Sequence, residues 1–590
     1  MPKNGKEAGS NPIETNFSIP ISGIPLSLEI LSIAAIAIGI MLRLLNLGSR
    51  EFWYDEVLSL VISTGQKIHY QTPPSVPVAL SDYTPLLSLP SETGLGDILQ
   101  TVRNLLKGIL SDPHPPLSYL SLHIWLRLFG NSEAAMRSVM ALFSVAAIAC
   151  VYGLGKTLLG HRGGLLLAAL LATNPFYLSH SVNARMYAPL ILWTILSGWA
   201  MLELITPNSR IDSQLSPENQ PKTAKKRILW SIVLSVSVAA GMLTQYLFAF
   251  WLMTLGIFVL LFDRRQWWQH GLRLGAGVAL TLPWVLWGTR QQIRNAAYVV
   301  GQVSSSTNAA LKHLQDITQT LGAHLILGDW VTSLPDAIAI IAGCIAIAVL
   351  AACTISLWRH AHRELTIALA LGILPLSIAL TVDILTNKFT VGFGWGRAMS
   401  FILPGCLLLL ALCLERKPPA VDLQTSQDRK NDWRKAAAAG LLLLYLTISI
   451  GDFSLRQRWV FHSIANVIAR EATTPTLIAI NSKAWGHVLR LAYYIPPSSP
   501  VMLLSENPDR LADSLEKVLT SAEASQYRRL IWLDSANPVW SRLKTEAEKI
   551  AAKQRIQQIL QKQFKSIETQ QLTGTMNIDG FTLNLYNRFS

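Results

Sequence analysis

The chain has 590 residues, of which 51% are hydrophobic and only 15% charged, and its mean hydropathy is +0.34. A soluble chain carries about a quarter charged residues, so this balance excludes an ordinary cytosolic enzyme, a disordered chain and a small disulfide-bonded fold. The net charge of +14 does not point to nucleic acid, because the basic residues fall in short loops between apolar runs, the pattern of a membrane-topology signal.

In chain order, residues 1–25 are polar and turn-rich and read as a cytoplasmic tail without a cleavable signal peptide. Apolar runs of spanning length then predict eleven crossings, at 26–46, 136–157, 162–178, 188–206, 228–243, 247–263, 271–288, 334–357, 364–385, 397–415 and 436–453. They form a membrane module over 26–455. The five cysteines lie inside apolar runs with no metal spacing. The stretch Pro116 to Gly130 is apolar but short and carries His123 and Arg127. Keeping it at the interface gathers Lys156 and Arg162, the 210–227 cluster, Arg264 and Arg265, Arg359 and Arg363, and the 416–435 cluster on one side. That side is cytoplasmic, with the N-terminus in and the C-terminus out. A bacterial plasma (inner) membrane is the expected location, and an endoplasmic reticulum would preserve the same sidedness.

Two large segments then face outward. The first outer loop, 47–135, holds two runs at helical spacing, Gly94 to Leu110 and Pro116 to Gly130, expected to lie on the bilayer surface. The second, 456–590, alternates strand and helix patterns: Thr476 to Ile480, a helix around His487 to Tyr494, Val501 to Leu504, a helix over Pro508 to Ala522, Arg529 to Asp534, a Lys- and Gln-rich helix to about Phe564, and Phe581 to Tyr586. That order predicts a C-terminal outer α/β domain, and it contains no GxGxxG or P-loop. Residues 206–226 and 418–432 read as polar cytoplasmic loops.

The predicted crossings are nearly free of ionisable groups; Glu29, Arg43, Glu203 and Asp383 fall toward their ends, where they can reach the interface. Polar chemistry is therefore expected at the outer rim. There the run Arg50-Glu51-Phe52-Trp53-Tyr54-Asp55-Glu56 follows the first crossing directly. Its plain reading is an aromatic belt with Asp55 as a helix N-cap; its functional reading is a general base, Asp55, with Glu56 as neighbour. Asp112-Pro113-His114-Pro115-Pro116 is a rigid turn or a second polar contribution. Arg137, Arg185 and Arg397 all fall on the outer face, and their convergence favours a lipid-borne phosphate over three separate anchors. Trp53, Tyr54, Tyr187, His114 and Tyr246 are the substrate-binding candidates, with interfacial anchoring as the alternative for the aromatics.

An aromatic-Asp-Glu motif after the first crossing, then HPPLSYLSLHIWLRLFG, SEAAMRSVMALFSV, GHRGG and NPFYLSHSVNARMY, in that order, resembles the lipid-linked-sugar glycosyltransferases of the GT-C superfamily. The family 39, protein O-mannosyltransferase-like branch, which includes the aminoarabinose transferases, is the nearest in pattern. The first two hundred residues carry the likeness, and Leu282-Pro283-Trp284 and GRAMSFILPG extend it more loosely. The resemblance implies that Asp55 matches the catalytic aspartate, and that Arg137, Arg185 and Arg397 stand where relatives hold basic positions near the lipid phosphate. It implies a polyprenyl-phosphate-linked sugar as donor, an extracytoplasmic lipid, polysaccharide or protein as acceptor, and a hexosyl- or pentosyltransferase. SHSVNARMYAP lacks the acidic residue with which relatives help bind a divalent ion, Mg or Mn; Asp55, Glu56, Asp112 and His114 remain as candidate ligands. A flippase for a lipid-linked sugar and a polysaccharide-binding scaffold are the competing readings.

Overall fold

A backbone in hydrocarbon must satisfy its own hydrogen bonds, and for apolar runs of this length the solution is the α-helix. The computed structural model describes residues 27–205, 220–296, 308–415, 424–456, 459–538, 541–543, 545–574 and 577–589. The tail over 1–25 and the segments 206–219 and 418–423 of the two polar loops lie outside the described residues. Among the described residues, eight helices are long and apolar enough to cross a membrane, and Phe248–Phe262 is a shorter apolar helix.

Helix α1 (Leu28–Leu45) precedes three short helices of the first loop, α2 (Tyr54–Ser63), α3 (Leu95–Ile109) and α4 (Leu117–Phe129). At 13 residues α4 is about 20 Å long, too short for about 30 Å of hydrocarbon. The 41-residue α5 (Glu133–Thr173) contains two of the predicted crossings. They are separated at Gly160, whose φ of 79° only glycine adopts at low cost, and the two arms meet where Gly155 and Gly164 leave no room for a Cβ. Next come α6 (Pro175–Ser181) and α7 (Tyr187–Ile205). The seventh predicted crossing is interrupted at Leu280, just ahead of Pro283, which cannot donate to a helical carbonyl. Helices begin at Gln220 and Gln424, inside stretches expected to be loops.

Two of the ionisable groups expected to reach the interface do not. Arg43 is fully buried, donating to Ser144 Oγ (2.7 Å), Ala172 O (2.6 Å) and Gly39 O (2.8 Å). Asp383 is buried and accepts from Thr390 Oγ1 and Val391 N. Each instead ties helices or turns together, because a buried charge persists only when it is hydrogen-bonded.

The C-terminal segment folds as a six-stranded sheet in the order β1-β3-β2-β4-β6-β5. Strands β2 (Thr476–Ile480), β3 (Val501–Ser505) and β4 (Arg529–Ser535) are parallel and almost wholly buried, as a sheet covered on both faces requires. Strand β6 (Gly580–Arg588) pairs antiparallel with β4 and carries the edge strand β5 (Phe564–Thr573). β5 reads FKSIETQQLT, and such a polar edge gives no apolar alternation to find. The other edge is β1 (Val78–Ala79), only two residues long and contributed by the first outer loop, where Val78 pairs with Leu503. The loop and the sheet are therefore one packed unit. Glu51 adds a further tie, its carboxylate accepting from the N–H groups of Val460, Phe461 and His462 at the start of helix Val460–Ala469.

Candidate active site

The N-terminus of α2 organises the site. Trp53 is the N-cap, so Tyr54 and Asp55 occupy the first turn and Asp55 is not the cap. Glu56 closes that turn by accepting the Trp53 N–H at 3.2 Å. It also accepts the Ala184 N–H (2.7 Å) and two hydrogen bonds from Arg137, at 2.8 and 2.7 Å. This carboxylate, wholly buried, joins α2, α5 and the loop after α6.

The arrangement corrects two of the expected roles. Arg137 is 2% exposed, and its five N–H groups go to Glu56 and to the carbonyls of Leu47, Arg50 and Glu51. No donor remains for a phosphate. Glu56, matched by this cation, is likewise a positioning group without access to substrate.

Asp55, one residue earlier, has a different environment. Its side chain keeps 19% exposure, and Oδ2 lies 3.2 Å from Arg397 Nη2. Arg185 reaches the same residue from the other side, donating to Asp55 O (3.3 Å) and Ser59 Oγ (3.0 Å). Burial opposes the Arg185 charge, but Tyr119, Asp55, Tyr187 and Asp112 around it hold its pKa above the usual value. Both guanidinium Nε atoms, of Arg185 and Arg397, are buried without a hydrogen-bond partner among the described residues.

Arg397 is presented by Gly394-Trp395-Gly396, three consecutive residues with positive φ (58°, 54° and 78°). Trp395 pays the cost of this conformation, about 1–3 kcal/mol, to hold the turn. A Cβ on Gly394 would stand 2.5 Å from Arg397 Nε. Gly394→Ala should therefore displace Arg397 and lower donor affinity without loss of the folded protein, measurable by donor titration beside a thermal melt.

Two cavities lie at the arginines that contact Asp55, one at Arg397 and one at Arg185. One is lined by Trp53, Phe176, His180, Asn183, Trp395 and Arg397, with the Arg397 guanidinium 5.1 Å from the Trp53 ring centroid. In its wall Phe176 is stacked between His180 (4.3 Å) and His324 (3.9 Å); burial pushes their pKa values down to about 4 and about 3, so both are neutral. The other, smaller cavity is lined by Ser59, His114, Tyr119, Arg185, Met186 and Thr244. Asp112 sits behind it, accepting from Tyr119 Oη (2.8 Å) and His114 N (3.0 Å), with His114 Nδ1 at 2.6 Å. Burial disfavours the Asp112 charge, but His114, Arg185 and Tyr119 outweigh it and keep the carboxyl below its usual pKa.

The remaining candidates divide in the same way. Trp53 and His114 line the cavities. Tyr187 is buried beside them, edge-on to His180 at 4.9 Å. Tyr54 packs on Gly486 and His487 of the sheet domain, away from the cavities. Tyr246 acts at one remove: its hydroxyl donates to Gln292 Oε1, and Gln292 Nε2 donates to the carbonyls of Ile109, Asp112 and His114. Gln292 and His180 were not anticipated; Gln292 lies in an unpatterned polar stretch, whereas His180 stands in the SHSVNARMY loop already marked as outer.

The site does not fit a divalent ion. Among the described residues no three His, Cys, Asp or Glu side chains converge on a common point. Asp55 pairs with Arg397, Asp112 is spent on Tyr119 and His114, and Glu56 on Arg137.

With this geometry in hand, likenesses to known proteins can be placed on it. Residues 113–213 match the family described as dolichyl-phosphate-mannose-protein mannosyltransferase, a segment holding His114, α4, α5, α6, Arg185 and Tyr187. No curated protein matches the sequence significantly. Among solved structures, ArnT from Cupriavidus metallidurans bound to undecaprenyl phosphate superposes with a TM-score of 0.52 at 11% identity, over 94% of this chain and 97% of that one. Its apo state gives 0.51 at the same identity and coverage. The chain therefore has the fold of ArnT, and its residues 113–213 resemble the dolichyl-phosphate-mannose-protein mannosyltransferase family.

Proposed function

We propose that the protein is an integral-membrane glycosyltransferase that moves a sugar from a polyprenyl phosphate to an acceptor on the outer face of the plasma membrane, with inversion and with Asp55 as general base. The observation that carries this reading is the partly exposed Asp55 carboxylate, paired with Arg397 while Arg185 holds the Asp55 main-chain carbonyl, in an apolar helical module. The similar ArnT, solved with undecaprenyl phosphate, supports a donor of that type. A sugar phosphate departs as a stabilised anion, so one base suffices and no carboxylic acid need protonate the leaving oxygen.

Arg397 and Arg185 have distinct tasks in this scheme. A donor phosphate competes with Asp55 for Arg397; drawing the guanidinium away frees the carboxylate to accept the acceptor's proton. Arg185, fixed through Ser59, presents its remaining N–H groups to the charge growing on the departing phosphate. The Gln292 carboxamide holds the Asp112–His114 turn that closes the second cavity.

The test is a proteoliposome assay in which transfer and translocation of a radiolabelled polyprenyl-phosphate sugar are scored separately. Transfer without net translocation supports the enzyme, and translocation without transfer replaces it by a flippase. In the same assay Arg397→Ala should raise the donor KM about tenfold, the worth of one hydrogen bond to a charged group, while the acceptor KM stays near that of the parent.

A further inference from the structure

Beside the two cavities an open cleft separates the first outer loop from the sheet domain. Lys67, Tyr70, Thr72 and Ser111 line it from the loop, and Lys483, Trp485 and Asn507 from the segments that follow β2 and β3. The space outside the carboxyl ends of parallel strands is where open α/β sheets collect ligands. Here that edge is walled by the loop which also carries Asp55.

The charges in the cleft are unbalanced. Lys67 is half-buried, with its ammonium 4.5 Å from the Trp485 ring centroid and 5.2 Å from that of Tyr70. The rings fix the cation, yet among the described residues no carboxylate lies within ion-pair distance of it. Lys483 pairs with Glu506 at 3.1 Å, but that carboxylate is buried behind the cleft and also accepts from Ser75 Oγ. The Tyr70 hydroxyl is buried with no hydrogen-bond partner. A held ammonium, a second lysine, three hydroxyl-bearing residues and an amide thus line one space that, among the described residues, contains no acid in its lining.

The cleft adjoins the site by two short routes. Ser111 immediately precedes Asp112. Trp485 precedes Gly486, on which Tyr54 packs so closely that a Cβ would stand 2.6 Å from its ring, and Tyr54 precedes Asp55. The cleft is thus tied to the site through the residues next to Asp112 and Asp55 in the chain.

We propose that this cleft is the acceptor subsite and takes a saccharide bearing an anionic group, a carboxylate or a phosphoryl. The proposal rests on the glycosyltransferase reading for the word acceptor, and on the cleft alone for the anionic sugar. Lysine point charges with neutral hydroxyl and amide donors suit either anion. Thr72, Ser111 and Asn507 supply partners for neighbouring sugar hydroxyls.

Lysine acetylation read by mass spectrometry on the full-length protein in nanodiscs tests this directly. Glucuronate and glucose 6-phosphate are the probes, glucose is the neutral control, and the exposed Lys562 and Lys565 are internal references. Severalfold slower labelling of Lys67 and Lys483 with either acidic sugar, and not with glucose, is expected; which probe acts distinguishes carboxylate from phosphoryl. Unchanged labelling with both, or equal protection by glucose, overturns the proposal. In Lys67→Gln, protection at Lys483 should require about tenfold more ligand, the loss of one charge-assisted hydrogen bond; undiminished protection there overturns the role of Lys67. Asp55→Asn should keep the protection. A fully active Asp55→Asn variant sinks the transferase mechanism and leaves the cleft standing, whereas absent protection beside an inactive variant sinks the cleft alone.

Discussion

Asp55→Asn should abolish sugar transfer while leaving an inserted, folded protein. Loss of a general base removes about 10²–10⁴ in rate, and Asn keeps the size of the side chain without its basicity. The structural cost is small, because among the described residues the one ion pair given up is with Arg397 at a partly exposed position, and such pairs contribute about 0–1 kcal/mol. Transfer from a polyprenyl-phosphate donor should therefore fall toward background, while the size-exclusion profile and thermal midpoint stay near those of the parent. Donor affinity in this variant should hold or tighten, since Arg397 no longer has a competing carboxylate. An active Asp55→Asn protein would remove the central assignment.

The second large effect is on stability. Arg137→Met strands Glu56 as a buried, unpaired carboxylate, at a cost of about 3–5 kcal/mol, a large fraction of the margin of most folded proteins. The expected result is a sharp drop in the yield and thermal midpoint of detergent-solubilised protein. Adding Glu56→Gln should recover part of it, because the stranded charge is gone while the amide oxygen can still accept from one of the two N–H groups, of Trp53 or Ala184, that bond to separate Glu56 oxygens. The alternative role, a phosphate ligand, predicts the reverse pattern: a stable Arg137→Met protein with weakened donor binding. A melt and a donor titration on the same preparation separate the two.

Among the three outer arginines, sequence position alone did not distinguish a ligand from a tie. All three fall on the expected outer face, and all three stand where the resemblance implies basic positions. They differ in what surrounds them: Arg137 meets a carboxylate and three carbonyls that consume its five donors, whereas Arg185 and Arg397 each retain an unpartnered Nε beside a cavity. The same applies to Tyr54 and Tyr246, which looked like binding aromatics but face the sheet domain and Gln292. Arg43 and Asp383 are a further case, since nearness to a helix end permits contact with the interface without requiring it.

What the sequence by itself determined is what repeats along the chain: apolar runs of membrane length, the short amphipathic helices, the buried parallel strands, and the crowding of acids, arginines and aromatics into outer loops. These follow from local periodicity and from the cost of placing backbone and charge in hydrocarbon, which every segment meets alone. Only the tertiary structure decided that two residues near Val78 complete a sheet four hundred residues away, and that Glu56 belongs to Arg137 while Asp55 stays open to Arg397. The physical reason is that a charge's role is set by which partners desolvate and neutralise it, and those partners are brought together by packing between elements far apart in the chain.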